Sequence, residues 1–429
     1  MTESPDQPQH LSQRFLASSR RVSSRLVSTR RFALWFPLAV YFVTRGINAL
    51  MIGLASIKQI ALPSTGLGGR LAIESPASPD YWVVAANWDG RWYGAIATYG
   101  YPDQLPVDAA GHVLQNAYAF PPLFPMLARL LMTVTGLDFT LAGPIVSFVC
   151  GAAAMVLIYR LVADTAGRRA GALTVVLVCT FMSAPVLQIS YSEGLALLLV
   201  CGALWLLTRR RYAALAVVLL LLALTRMVTP ALALVILAHG WMRYRNQSDG
   251  AAFPRRDRVR VLAVAGWGVL VAAAWPVGAA VMTGRPNGDL ETMGAWSQDQ
   301  RPHALLAWPM QLWQQAGAFG LLFLLMLLLG GAWLVRREGA RMWSVEVRTW
   351  AWAYPLFLVL ATGPGGSTIR HAILGFPLIW PFVESQTSRS ERRAQLVFAI
   401  VLAGVGLGTQ WVWISNFLVM KAYMSGIFP

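Results

Sequence analysis

The chain has 429 residues, of which 56% are hydrophobic and 13% charged, with a mean hydropathy of +0.53. A soluble domain cannot hide that much apolar surface, and a lipid-exposed strand edge would leave backbone groups unpaired, so the composition predicts an all-α polytopic membrane protein. The net charge of +16 and pI of 10.6 fit a basic face against anionic headgroups. No basic stretch is interleaved with the aromatics that a nucleic-acid groove requires, so no nucleic-acid partner is expected.

Residues 1–32 are rich in Ser and Arg, but they open with acids and prolines and run into a span too long for a signal peptide. They predict a solvated, largely disordered cytoplasmic tail. Apolar runs bounded by arginines or by Pro and Gly then predict about eleven spans. These lie at 33–55, 139–160, 171–187, 193–208, 212–226, 228–242, 261–282, 316–335, 348–361, 369–385 and 394–414, within a transmembrane domain over 33–414. With the N-terminus inside, the cytoplasmic segments collect 25 of the 35 Lys and Arg but only nine of the 19 acids. That bias predicts a cytoplasmic N-terminus and an extracytoplasmic tail over 415–429. Cys150, Cys179 and Cys201 fall inside apolar runs at unrelated spacings and offer neither a zinc nor a disulfide pattern. No metal-ligand spacing occurs, so no metal and no cofactor is predicted, although a loosely held divalent cation is compatible with the sequence.

The longest outer segment, 56–138, begins with the Gly/Pro/Ser-rich stretch "ALPSTGLGGRLAIESPASPD" and continues into "NWDGRWYGAIATYGYP". Trp88, Trp92, Ile96 and Tyr99 recur at helical spacing and predict a short helix lying in the headgroup layer on its aromatic face. Gly100 and Pro102 mark its end. Asp89 and Tyr93 share a neighbouring face. On residue chemistry alone, Asp89 is equally well read as a helix-start acid in an aromatic belt or as a site. "AYAFPPLFPMLARLLMTVTG" follows as a Pro-led helix, either interfacial, re-entrant or a further span.

Further along, charged residues sit at the outer ends of apolar runs: Glu193 beside Tyr191, then Arg226, then Arg370 with His371 after a Gly-rich turn. Charge in a bilayer is expensive and faces a partner or a cavity. Two readings follow: an ion pair such as Glu193 with Arg226, or a cationic pocket for a lipid phosphate, which guanidinium grips with two prongs. The outer loop 283–307, with Asp289, Glu291, Asp299 and His303, reads as a solvated loop or as a cover for the substrate.

The residues "WDGRWYGAIATYGYP" and "AFPPLFPMLARLL" resemble the signature of bacterial relatives of the PIG-V type mannosyltransferases, which belong to the GT-C class of polytopic glycosyltransferases. "YSEGLALLLVCGALW", "LALTRMV" and "STIRHAILGFPL" resemble later segments of the same family in the same order, over most of 33–385. Pro121 stands where the family has an aromatic, and Gly194 and Ala196 where it has Ser and Phe.

The resemblance implies a GT-C-type helix bundle that transfers a sugar, mannose, from a polyprenyl-phosphate donor to a cell-envelope glycolipid or lipoglycan acceptor at the outer leaflet, with inversion. It implies Asp89 as the general base. Arg370, Arg226 and His371 become the candidates for donor-phosphate binding, and Trp88, Trp92, Tyr93, Tyr191 and Glu193 for substrate contact. The partners implied are the lipid-linked donor, the acceptor and membrane lipids. Arg outnumbers Lys 33 to 2, and together with heavy Ala and Gly use this suggests a bacterial plasma membrane. The rivals are transfer of arabinose or glucose from the same carrier, and a lipid or sugar transporter, which would place its charges near the bilayer midplane.

Overall fold

The computed structural model describes residues 8–61, 75–249, 253–296, 306–337, 340, 342–364, 366–379 and 388–421. Most of the Gly/Pro/Ser-rich stretch, Asp299, His303, the end of the 369–385 span and most of the C-terminal tail lie outside them. Among the described residues the architecture is all helical, with no strand longer than isolated bridge residues.

The chain opens with α1 (Pro8–Ser56), followed in the first loop by α2 (Tyr81–Ala85), α3 (Asp89–Tyr99) and α4 (Leu123–Thr135). The bundle continues with α5 (Phe139–Ala166), α6 (Arg168–Thr180), α7 (Glu193–Thr208), α8 (Tyr212–Ala223) and α9 (Thr229–Arg245). Then come α10 (Arg255–Leu270) and α11 (Ala274–Thr283), joined by one 3-10 turn, and the short α12 (Gly288–Trp296). The last helices are α13 (Ala307–Arg336), α14 (Val345–Ala361), α15 (Gly366–His371) with a 3-10 extension to Ile379, and α16 (Arg389–Trp413).

Where they are described, the expected spans fall on helices, 171–187 running past the end of α6 and 369–385 being described only to Ile379. Five are long and apolar enough to cross a bilayer unaided: Arg31–Ser56, Phe139–Ala166, Arg255–Thr283, Ala307–Arg336 and Arg389–Leu418. The protein is therefore a membrane protein. The remaining apolar helices are shorter; α8, with 12 residues, rises only about 18 Å. Side chains set many of the helix ends. Asp80 caps α2, Asp138 caps α5, and Ser388 with Glu391 forms a capping box on α16.

The core is centred on α5, which packs on α1, α4, α6 and α7, while α9 packs on α10 and α14. Gly194 is where α5 and α7 come closest: a Cβ there would stand 2.6 Å from the Ser147 carbonyl oxygen. That contact accounts for a glycine where the resembled family has serine.

Between α6 and α7 the chain is irregular, yet residues 183–193 are buried. Backbone without helical bonds survives at this depth only where protein supplies partners. Here Arg45 of α1 donates to the carbonyls of Ala184 and, at 2.8 Å, Cys179. Gln410 of α16 donates to Cys179 at 3.1 Å and Phe181 at 2.8 Å. Tyr41 donates to Leu187 at 2.7 Å, and Ser147 to Tyr191 at 2.5 Å. Five carbonyls of the break are thus satisfied from α1, α5 and α16, and its rigid end delivers Tyr191, Ser192 and Glu193 to one end of the bundle.

The aromatic stripe of α3 packs against protein instead of forming an open face for the headgroup layer. Trp92 and Ile96 are buried, and Tyr99 alone in the stripe is largely exposed, at 76%. Trp92 stacks on Phe120 with ring centres 5.9 Å apart and meets Trp296 of α12 edge-on at 5.4 Å. Helical periodicity identifies an apolar face without telling lipid from protein as its partner; here the partner is the loop's own aromatic core.

Candidate active site

The site starts from a strained backbone. Trp88 has φ 55° and ψ −116°, a region L-residues avoid at a cost of about 1–3 kcal/mol. Neighbouring contacts hold it there. Its indole donates to the Leu418 carbonyl at 2.9 Å, and Asn87 donates to the same carbonyl at 3.2 Å and to Gln59 at 2.8 Å. The abrupt turn makes Asp89 the first residue of α3. Gly90 lies against the irregular segment, where a Cβ would come within 3.2 Å of Ser190.

Opposite Asp89 stands Arg370 of α15. Its Nη1 is 2.5 Å from Asp89 Oδ2, and its Nε is 3.5 Å from Glu193 Oε1. The same glutamate oxygen accepts from Arg226 Nη2 at 2.7 Å. Arg226 also reaches Ser192 Oγ through Nε at 3.3 Å, and Tyr93 donates to that hydroxyl at 2.9 Å. The Arg370 guanidinium lies 4.9 Å from the centre of the Tyr191 ring. Two carboxylates and two guanidiniums therefore form one neutral, buried cluster contributed by α3, the start of α7, the turn after α8, and α15.

Exposure separates the two acids. The Glu193 side chain is 1% exposed and that of Asp89 17%, so Asp89 is the carboxylate that a substrate can reach. Burial pushes the Asp89 carboxyl above its ordinary range. The Arg370 charge pulls it back and that of Glu193 adds to the rise, with burial the larger effect.

The expected residues are thus arranged unequally. Asp89, Glu193, Arg226 and Arg370 are brought into direct contact, with Tyr191 and Tyr93 packed on them. His371 is close enough to feel both arginine charges, and its backbone carbonyl accepts from Tyr354 at 2.8 Å. Of the two readings, the ion pair is present, Glu193 with Arg226, while Arg370 turns to Asp89. The ring of Trp92, expected to contact substrate, is packed by Phe120 and Trp296, and Tyr93 is a buried hydrogen-bond donor. Trp88 is half-buried and fixed through its indole nitrogen.

Ser192, which the sequence places beside Tyr191 and Glu193 without assigning it a role, joins Tyr93 to Arg226. Arg45 and Gln410 were missed, each a polar residue in an apolar run. Among the described residues no group of three or more His, Cys, Asp and Glu side chains is placed to hold a metal ion.

No protein-family profile matches the chain, and no curated protein does. Among solved structures the chain is similar to the oligosaccharyltransferase of Archaeoglobus fulgidus, determined with a tethered acceptor peptide containing the NVT sequon. The identity is 12% and the TM-score 0.40, over 90% of this chain and 56% of that one. The chain thus spans little more than half the length of that protein.

Proposed function

We propose that the protein is an integral-membrane, inverting glycosyltransferase of the GT-C type. It moves mannose from a polyprenyl-phosphate donor to a cell-envelope glycolipid or lipoglycan at the outer leaflet of a bacterial plasma membrane, with its N-terminus cytoplasmic. The observation that carries this reading is the pairing of a solvent-reachable carboxylate, Asp89, with Arg370 at 2.5 Å at one end of an apolar bundle. The ordered motifs around both residues support the same reading.

The chemistry follows from the charges. The cluster is neutral, so an entering lipid phosphate competes with Asp89 for Arg370, and Arg226 and His371 stand behind it. Engaging the phosphate frees Asp89. The acceptor hydroxyl oxygen then bonds to the anomeric carbon from the face opposite the phosphate. The carbon–oxygen bond to phosphate breaks with its electron pair staying on the phosphate, and the hydroxyl proton passes to Asp89. One displacement inverts the anomeric centre. Phosphate leaves without an acid partner because the guanidiniums stabilise its charge. This route requires no cofactor. Glu193 and Tyr191 act from behind the substrate by fixing the two arginines.

The test supplies membranes containing the protein with radiolabelled polyprenyl-phosphate-mannose and native glycolipid, and in parallel with labelled nucleotide-mannose while carrier synthesis is blocked. Label should reach glycolipid from the lipid carrier alone, with inverted anomeric configuration. Direct use of the nucleotide sugar, or retention of configuration, overturns the proposal.

A further inference from the structure

A second polar site lies at the other end of the bundle. Helix α7 starts at Glu193 and ends at Thr208, a rise of about 24 Å; α9 likewise runs away from Arg226. Where these helices end, beside the start of α14 and the end of α5, is a cavity of about 440 Å³. Its apolar wall includes Leu161, Trp205 and Met242, and its hydroxyl and amide groups come from Thr165, Thr208 and Asn246. Arg209, Arg210 and Arg243 line it as well.

The charges around this cavity are mostly committed. Asp164 has Arg209 at 3.4 Å, and Arg209 also lies 5.5 Å from the Trp205 ring. Glu346 has His239 at 2.5 Å, and His239 continues through Tyr212 at 3.2 Å to Arg243, whose second partner is Asp257 at 3.1 Å. His239 is 6% exposed, so this chain forms a fixed, buried polar floor.

Asp164 and Glu346 each have a partner, Arg209 and His239, and Arg210 is left over, with no acid partner among the described residues. Arg210 also has φ 56°, a left-handed conformation that L-residues avoid. Glycine would adopt it freely. The tight turn between α7 and α8 thus holds Arg210, the middle of three consecutive arginines, at the rim of the cavity despite the backbone strain.

We infer that this cavity is a binding site for a phosphate group, taken from the headgroup of an anionic phospholipid or from a soluble phosphoester. Guanidiniums at the rim supply paired donors for phosphate oxygens. The hydroxyl and amide groups take the polar remainder of the headgroup, and the apolar wall takes the beginning of an acyl chain. Helices α5, α7, α9 and α14 all line it, so a ligand in the cavity ties α7, which carries Glu193, to α9, which begins just after Arg226. The phosphate site stands on the cavity's own residues. With the orientation proposed above, a lipid ligand would come from the inner leaflet, and only that assignment rests on it.

The test uses the full chain in phosphatidylcholine nanodiscs and counts bound lipid by native mass spectrometry as phosphatidylglycerol is titrated. Separate arms offer inorganic phosphate and glycerol phosphate and read the thermal midpoint. Arg210→Gly removes the guanidinium while suiting the left-handed backbone, so it should fold at least as well as wild type. Combined with Arg209→Ala it should weaken phosphatidylglycerol binding at least tenfold, whereas Arg210→Lys should weaken it less. Stabilisation by soluble phosphate that the double variant abolishes also supports the site and assigns it to a soluble ligand. Equal phosphatidylglycerol binding by wild type and double variant, without a variant-sensitive effect of soluble phosphate, overturns the inference. Binding is read without sugar transfer, so it fails or succeeds independently of the glycosyltransferase reading.

Discussion

Glu193→Gln separates the two roles of the charged cluster. The substitution keeps volume and an acceptor oxygen but removes one of two negative charges facing Arg226 and Arg370. At 2.7 and 3.5 Å, each contact corresponds to roughly 5 kcal/mol of gross Coulomb attraction at an effective dielectric of about 20. Desolvation cancels part of this, and loss of one partner of a buried ion pair typically leaves a net cost of about 3–5 kcal/mol. The variant should therefore lose several degrees of thermal midpoint in detergent. The pH profile makes the second reading. Glu193 is among the groups that hold the Asp89 carboxyl up, so its neutralisation lowers the Asp89 pKa. Arg370, released from Glu193, then falls more completely on Asp89 and lowers it further. The acid limb of kcat/KM for sugar transfer should move to lower pH while the maximal rate falls. A midpoint within one degree of wild type, or an acid limb that moves to higher pH, would refute the reasoning.

Three further outcomes follow from the same geometry. In the wild type, burial raises the Asp89 carboxyl above 3.8, and a base acts only when ionised. Transfer should therefore fall as pH drops through a value above that of a free aspartate; a limb at or below 3.8 contradicts the burial argument. Arg370→Lys should raise the donor dissociation constant about tenfold or more and leave the acceptor KM nearly unchanged, because an ammonium loses the paired geometry; the reverse pattern would show that Arg370 serves the acceptor. Gly194→Ser places a Cβ about 2.6 Å from the Ser147 carbonyl and should force α5 and α7 apart, visible as a lower thermal midpoint and poorer yield of monodisperse protein. Unchanged stability would mean that the helices separate at little cost.

The membrane-spanning pattern was legible because apolar runs and arginine boundaries are set by local composition. The cluster was legible in its members for a related reason: a charge in hydrocarbon must have a partner, so Glu193, Arg226 and Arg370 stood out from their neighbours. Their mutual distances were not legible, since they depend on the irregular segment before α7. That segment is held by Arg45 and Gln410, which are remote in sequence. The tryptophan stripe of α3 was misassigned because amphipathic spacing specifies an apolar surface but not its occupant. Trp92 and Ile96 found Phe120, Phe124 and Trp296 rather than lipid. The strained turn at Trp88 leaves no trace in composition, since glycine or asparagine would ordinarily mark a positive φ.

Asp89→Asn tests the central claim most directly. The variant keeps the shape of the site, so it should bind polyprenyl-phosphate-mannose with near wild-type affinity. Its single-turnover transfer to glycolipid should fall by a factor of about 10²–10⁴, the range associated with a lost general base. Transfer at the wild-type rate with donor bound would contradict the assignment of Asp89 as the base.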